Sequence, residues 1–342
     1  MKVISLVARF RDLPRAVGKR WRLLVIPAAL LLVLGGVWTF EQVTGTDISV
    51  RYGGTIWIPV SEKTPWLPRA IRIALHRPPV SGSPGRMEWR QIRPGFEVAE
   101  LPVIADRIEV DRILLTRVDP ARYRFVVRND PTGIKHLDDW MRDLGALLVI
   151  NGSYYSRTGA PATPVVIDGA LRGPGRYDAN QGAFVSSPDQ TGLRDLAKED
   201  WRAALRGSQT AMVSYPLLIA ADGSSRAPAG TGWLANRSFL GEDRLGRIIL
   251  GTTKGGFFSL DRLSDFLRRS PLDLKLALDL DGGPVACQGI AYAGFKRRSC
   301  GAWELQVDRN GHAKVLPSWH WLQPSMPMAL AVYPRTDTGA HQ

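Results

Sequence analysis

Between Leu276 and Asp281 the chain alternates strictly. Leu276, Leu278 and Leu280 fall on one side, and Ala277, Asp279 and Asp281 on the other. Period two predicts a strand with one buried face. The opposite face then carries two carboxylates at i and i+2, roughly 6–7 Å apart by strand rise. Gly282-Gly283 follows at once, where bare backbone permits a sharp turn and close approach of a ligand. Two readings of this stretch stay open on the pattern alone: a reaction centre, or a strand ending in a solvated Asp-Gly turn.

The same patterning predicts the elements around it. Arg112–Val118 and Tyr123–Arg128 predict two strands across an Asp119-Pro120 turn. Leu137, Trp140, Met141 and Leu144 recur at helical spacing, and Gly145 ends that helix. Ala146–Ile150 is a short apolar strand running into Asn151-Gly152-Ser153-Tyr154-Tyr155. Polar groups, a glycine and aromatic rings at a strand end suit a sugar site, and they equally suit an Asn-Gly turn backed by core tyrosines. Pro164–Ile167 with Asp168-Gly169 reads as a hairpin arm, Gly182–Ser186 as a strand, and Leu193–Leu205 as a charged helix. Ala211–Ala220 is an edge or bent strand broken by Pro216. Arg247–Thr252 is β-rich. Ser259 stands as the cap of a helix presenting Leu260, Leu263, Phe266 and Leu267. Trp303–Val307 and Met328–Tyr333 read as closing strands. Many short strands with a few helices and no βαβ repeat predict an α+β fold, a mixed, largely antiparallel β-sheet with a few packed helices.

One run differs from all the others. Leu23–Trp38 carries no charge and, with Thr39 and Phe40, reaches 18 residues, about 27 Å as a helix, close to the thickness of a bilayer core. The expected organisation is a basic cytoplasmic tail over 1–22 and a single-pass transmembrane signal anchor over 23–40. A linker and Pro-rich N-terminal extension follow over 41–105, then the main domain over 106–335. The basic flank puts the C-terminal body outside the cytoplasm, periplasmic or extracellular. A cleaved signal peptide is the alternative, although no clear A-x-A site follows the run; both export the body.

Charge changes this picture little. The net charge is +13, but Lys2, Arg9, Arg11, Arg15, Lys19, Arg20 and Arg22 against Asp12 place six of those charges in the tail. The basic balance therefore needs no nucleic acid to explain it, and no nucleic-acid-binding motif is present. Arg51, Arg69, Arg72 and Arg77 read as solvated. No G-x-S-x-G elbow supports a serine hydrolase, and Lys254-Gly255-Gly256 is not a P-loop. Cys287 and Cys300 are the only cysteines; in an exported protein they can close a disulfide contributing on the order of 3 kcal/mol, or stay as thiols. His76, His136, His312, His320 and His341 have no zinc spacing with them, so no metal and no cofactor is expected. A hard cation on Asp279 and Asp281 is the open exception. Trp319-His320-Trp321 reads as packing.

Six separated stretches, in order, resemble the phosphodiester glycosidase family: NGSYY at 151–155, PATPVVIDG at 161–169, GAFV at 182–185, SYPLLIAADG at 214–223, NRSFLGEDRLGRIIL at 236–250, and SLDRLSDFLRRSPLDLKLALDLDGG at 259–283. The resemblance spans about 145 to 290. Pro284-Val285 replaces the family's Gly-Ser, Asp279 stands where Asn is commoner, and Ser153 replaces a glycine. It implies hydrolysis at an anomeric carbon bearing a phosphodiester, with an N-acetylglucosamine-like sugar, in envelope or exopolysaccharide metabolism. The partner is then a phosphorylated glycan substrate. It also implies roles: Asp281 as the essential carboxylate, a nucleophile or a base for water, Asp279 holding it, orienting sugar hydroxyls or sharing its proton, and Arg237 clamping the phosphate. Asn151, Gly152, Ser153, Tyr154, Gly282 and Gly283 would line the sugar. The plain alternatives are Arg237 paired with Glu242 or Asp243, and Asn151 capping a turn. The rival functions are a non-catalytic envelope protein binding acidic or phosphorylated glycan, and a metal-dependent phosphodiesterase cutting the P–O bond.

Overall fold

A computed structural model describes residues 18–49, 55–156, 158–178, 181–301, 303–308, 310–317 and 325–335. The basic tail as far as residue 17, Arg51, Trp319-His320-Trp321 and His341 lie outside these. The chain divides into two compact units, Met1–Pro59 and Val60–Gln342.

The first unit is built on one helix, α1 (Gly18–Thr44). It runs longer than the apolar core that predicts it, and Gly45, at φ +66°, ends it by donating its N–H to the Glu41 carbonyl. Val25–Thr44 has a mean hydropathy of 1.5 with none of its surface buried, so the helix is long and apolar enough to cross a membrane. A short antiparallel pair follows, β1 (Asp47–Ser49) and β2 (Thr55–Val60).

The second unit continues with α2 (Arg69–Ala74), β3 (Ser83–Pro84), β4 (Arg90–Arg93), β5 (Phe96–Ala105), β6 (Ile108–Val118), β7 (Tyr123–Asn129), α3 (Leu137–Leu144) and β8 (Leu148–Asn151). Next come β9 (Val165–Ile167), β10 (Ala170–Arg172), β11 (Gly182–Ser186), β12 (Thr191–Asp195), α4 (Trp201–Leu205), β13 (Thr210–Ser214), β14 (Leu217–Ile219) and β15 (Trp233–Ala235). The last group is β16 (Ser238–Asp243), β17 (Ile248–Thr252), α5 (Leu260–Arg269), β18 (Leu274–Asp279), β19 (Cys287–Tyr292), β20 (Phe295–Cys300), β21 (Trp303–Val307), β22 (Ala313–Pro317) and β23 (Met328–Pro334).

The largest sheet runs β14-β18-β16-β17-β6-β5-β3, with β4 also on β5. A second runs β20-β19-β8-β23-β7, a third β10-β9-β13-β11-β12, and β15-β21-β22 are joined in a fourth. The strand pairings described are antiparallel, so the α+β, mainly antiparallel expectation stands, distributed over several sheets. The first three sheets share one core. Leu276, Leu278 and Leu280 meet Phe125, Phe184, Met212, Leu240, Ile290 and Leu330 there, removing their apolar surface from water. On the outer sides, α3 covers β8 and β19 with Leu137 and Trp140, and α4 covers β11 and β13 with Trp201 and Leu205.

Several expectations fail, each for a local reason. Arg112–Val118 and Tyr123–Arg128 are not a hairpin: β6 pairs with β5 and β17, while β7 pairs with β23 in another sheet. The true hairpin, β5–β6, turns on Asp106-Arg107, both at positive φ, a turn that lacks the usual glycine signal. Phe96–Ala105, which its prolines and position group with the extension, is thus a ten-residue strand of the main sheet. Leu193–Leu205 is not one helix. Leu193 sits in β12 opposite Phe184 and donates its N–H to Glu242, and only after Asp200, whose side chain accepts from Arg202 and Ala203, does α4 begin. Ala211–Ala220 splits at Pro216 into β13, interior to one sheet, and β14, at the edge of another. The Ser259 hydroxyl bonds Asp261 rather than the helix backbone. Finally, β18 is buried on both faces, so Asp279 does not point into solvent.

Candidate active site at the end of the acidic strand

The strand β18 ends where four segments meet. Asp279 donates its N–H to the Pro216 carbonyl and accepts the Ser214 hydroxyl on its own carbonyl. Asp281, two residues on, donates its N–H to the Gly152 carbonyl and accepts the Asn151 side-chain amide on its carbonyl at 2.7 Å. Gly283, at φ +69°, donates to the Asn236 carbonyl at 2.8 Å. This left-handed backbone is what glycine permits, and a Cβ here would also stand 2.9 Å from a Glu304 carboxylate oxygen. Main-chain bonds thus fix the positions of both aspartates.

The Asp279 side chain is only half satisfied. Asp279 is fully buried; one oxygen lies 3.2 Å from the Tyr154 hydroxyl and the other has no partner. Burial pushes its carboxyl up to about 8, against the opposing pull of the Arg237 charge and the Tyr154 hydroxyl. Asp281 is half-buried, and burial followed by the negative charge of Glu304 lifts it to about 7. Glu304 is itself raised, first by burial, while the Trp233 indole N–H and the Arg237 charge oppose the rise. Three acids raised by burial and grouped in one place mark a site suited to proton and charge chemistry.

Arg237 supplies the opposing charge. It is buried, donating to the Trp233 carbonyl at 2.9 Å and the Phe258 carbonyl at 3.5 Å, and it makes no ion pair among the described residues. One terminal nitrogen lies against Gly282, 3.0 Å from where a Cβ would sit. Glu242 and Asp243, its simplest partners by sequence, are taken by Lys275 at 3.0 Å and Arg247 at 2.7 Å. A buried guanidinium with carbonyl partners and no counter-ion is well disposed to take a phosphate. At the rim, Tyr154 stacks on Tyr215 with ring centroids 4.3 Å apart, and Tyr215 remains exposed.

The structure therefore groups Asp279, Asp281, Tyr154, Arg237, Gly282 and Gly283. Three other predicted residues are turned to the backbone or the core. The Asn151 amide is spent on the Asp281 and Gly152 carbonyls and the Cys287 N–H. Ser153 is buried on the Val213 carbonyl and Thr163. Gly152 leaves room for Met328, which a Cβ would strike at 2.5 Å. Cys287 and Cys300 are bonded across the paired strands β19 and β20, tying down the strand that holds Asn151. Glu304, Trp233 and Tyr215 were not singled out by sequence. Alternation along β21 sets Glu304 opposite buried Leu305, but nothing local shows that this face meets β18. Among the described residues no group of three or more His, Cys, Asp or Glu is arranged to hold a metal ion. Cavities of about 450 Å³ at Arg77 and Arg262, about 410 Å³ at Met141 and Arg297, and about 380 Å³ at Trp201 contain none of the three carboxylates. The site is marked by its charges and not by these three cavities.

Residues 144–287 match the model of a family described as phosphodiester glycosidase. No curated protein matches the chain. Among solved structures, the chain is similar to the zebrafish N-acetylglucosamine-1-phosphodiester alpha-N-acetylglucosaminidase catalytic domain, auto-inhibited by its pro-peptide. That similarity has 15% identity and a TM-score of 0.48 over 75% of this chain and 89% of that one. A hypothetical protein from Synechocystis is similar at 15% identity and a TM-score of 0.44, over 75% and 68%.

Proposed function

The chain belongs, through residues 144–287, to the phosphodiester glycosidase family, and on that premise we propose that it hydrolyses the glycosidic bond of a sugar 1-phosphodiester with an N-acetylglucosamine-like sugar. The observation that carries the reading is the convergence of Asp279, Asp281 and Arg237 at the end of β18, unpaired with one another.

The chemistry follows from those charges. When the bond from C1 to the phosphodiester oxygen breaks, the phosphate departs as a monoester and needs little acid help. The demand is at C1, where positive charge develops, and a carboxylate must face it. Asp281, held from both sides of its backbone, takes that place. Asp279, kept protonated at neutral pH by burial, lies behind Tyr154 and positions its hydroxyl at the sugar wall. Arg237 holds the phosphate and stabilises its gathering negative charge. Gly282 and Gly283 let the substrate approach, and the Tyr154–Tyr215 stack forms the apolar wall for a sugar ring. Asn151 positions Asp281 rather than touching the sugar; Ser153 and Gly152 hold the loop.

The helix α1 serves as a single-pass anchor, with the body in the periplasm or outside the cell, where an envelope or exopolysaccharide phosphodiester would be met. The Cys287–Cys300 bond fits that oxidising side. The test uses full-length protein in detergent with N-acetylglucosamine α-1-(methyl phosphate) and related sugars. Wild type releases free sugar and Asp281→Asn loses at least about 10³-fold in rate. Glycan binding by both proteins without release would favour the non-catalytic envelope protein.

A further inference from the structure

Glu304 lies 17 residues beyond the end of the family match, on β21, and its setting differs from that of the sheet glutamates that are ion-paired among the described residues. Glu97, Glu100, Glu109 and Glu242 each meet an arginine or lysine within 4 Å. Glu304 meets none among the described residues. One oxygen accepts the Trp233 indole N–H, and the other lies over the bare backbone of Gly283, two residues from Asp281. Trp233 is in turn fastened to the site, since its carbonyl accepts from Arg237. Register places Glu304 opposite Ala235, one residue before the Asn236 carbonyl that holds Gly283. A structural glutamate would be paired or exposed. This one is half-buried, aimed, and left with one oxygen uncommitted to any cation.

We propose that Glu304 is a second catalytic carboxylate, the base that takes the proton from the water attacking C1. The inference rests on the phosphodiester glycosidase reading and adds a residue that the family segment does not contain. In the step, the water oxygen bonds to C1 and one water proton passes to the free Glu304 oxygen. The C1–O bond to phosphate breaks, with its electron pair going to the phosphate oxygen. The products are the free sugar and a phosphate monoester, and Glu304 returns its proton to solvent. Burial raises the Glu304 carboxyl, with the Trp233 N–H and the Arg237 charge opposing the rise, and a raised carboxylate is the stronger base. Asp281, nearer the strand end, keeps its separate task of facing the charge at C1.

The role is read by a nucleophile that needs no base. Full-length wild type, Glu304→Ala and Glu304→Gln are compared on N-acetylglucosamine α-1-(methyl phosphate), with and without sodium azide, while sugar and glycosyl azide are followed. Both variants should lose about 10²–10⁴-fold in sugar release. Azide should restore turnover in Glu304→Ala as glycosyl azide, with no such rescue in Asp281→Asn. Release at the wild-type rate by either folded variant, or a slow Glu304→Ala that azide does not rescue, overturns the proposal. Glu304→Gln preserves shape, so its folded state, checked by thermal melting, separates chemistry from collapse. If wild type itself releases no sugar, the glycosidase reading fails and this role with it; if only the rescue fails, the reading stands and Glu304 is a positioning residue.

Discussion

Two buried aspartates in the same domain are treated in opposite ways. Asp195 is almost fully enclosed, yet it meets Arg226 at 2.6 Å and accepts the N–H groups of Ala197 and Ala221. Burial alone would raise its pKa, but the arginine and the two amides outweigh burial and hold it low. Asp279 is equally enclosed, keeps one oxygen with no partner, and is raised to about 8. A carboxylate that the fold uses for stability is surrounded by donors. Asp279 has only the Tyr154 hydroxyl on one oxygen and nothing on the other, which fits the positioning role proposed for it. Asp111 cautions against counting orphans alone: it too has an unpartnered oxygen and is raised to about 6, but the amides of Arg112, Lys254 and Gly255 bind its other oxygen, which makes it the clasp of a loop.

The contrast can be broken by stability measurements. Asp195→Ala removes the buried acceptor of Arg226 and of two amides, so urea unfolding should show a loss of about 2–4 kcal/mol with sugar release per folded molecule unchanged. A loss below about 1 kcal/mol would mean that the pairing around Asp195 is decorative. Gly283→Ala forces a left-handed backbone on a residue with a Cβ and presses on Glu304, which should cost about 1–2 kcal/mol and slow the enzyme, as read by melting and by initial rate.

The pH dependence separates the two aspartates by sign. Asp279 has a folded pKa above its ordinary 3.8, so the native state binds its proton more tightly than the unfolded chain. Its contribution is fully present below about pH 4 and is lost as pH rises towards 8. Asp195, with a depressed folded pKa, contributes above its ordinary pKa and loses that contribution as pH falls. Against wild type, Asp279→Asn should therefore gain relative stability as pH is raised from 4 to 8, while the deficit of Asp195→Ala should shrink in acid. Parallel pH profiles for the two variants would refute the distinction.

Much of this site was legible in the chain. Period two from Leu276 to Asp281 put both aspartates on one face, the turn glycines followed, and the R-S-F-L-G stretch delivered Arg237. What alternation does not state is what lies across that face. Tyr154 bonds the Asp279 carboxyl and stacks on Tyr215, and a side chain expected to face solvent is buried. Asn151 has the composition of a sugar ligand, but a buried amide must satisfy its own donors and acceptor first, and here the backbone takes all three. Glu304 was hidden for a different reason: it is brought in by the β15–β21 pairing, a contact between residues about 70 positions apart that no local pattern encodes. Leu193–Leu205 failed because apolar spacing in a short segment fits strand and helix alike until its partners are known.

The central claim is that water attacks carbon and not phosphorus. Turnover of N-acetylglucosamine α-1-(methyl phosphate) by the full-length protein in ¹⁸O-labelled water, with mass analysis of the methyl phosphate released, tests it directly. The account predicts methyl phosphate free of the label, because every phosphate oxygen comes from the substrate. Label in the methyl phosphate would place the cut at the P–O bond and contradict the roles given to Asp281 and Glu304.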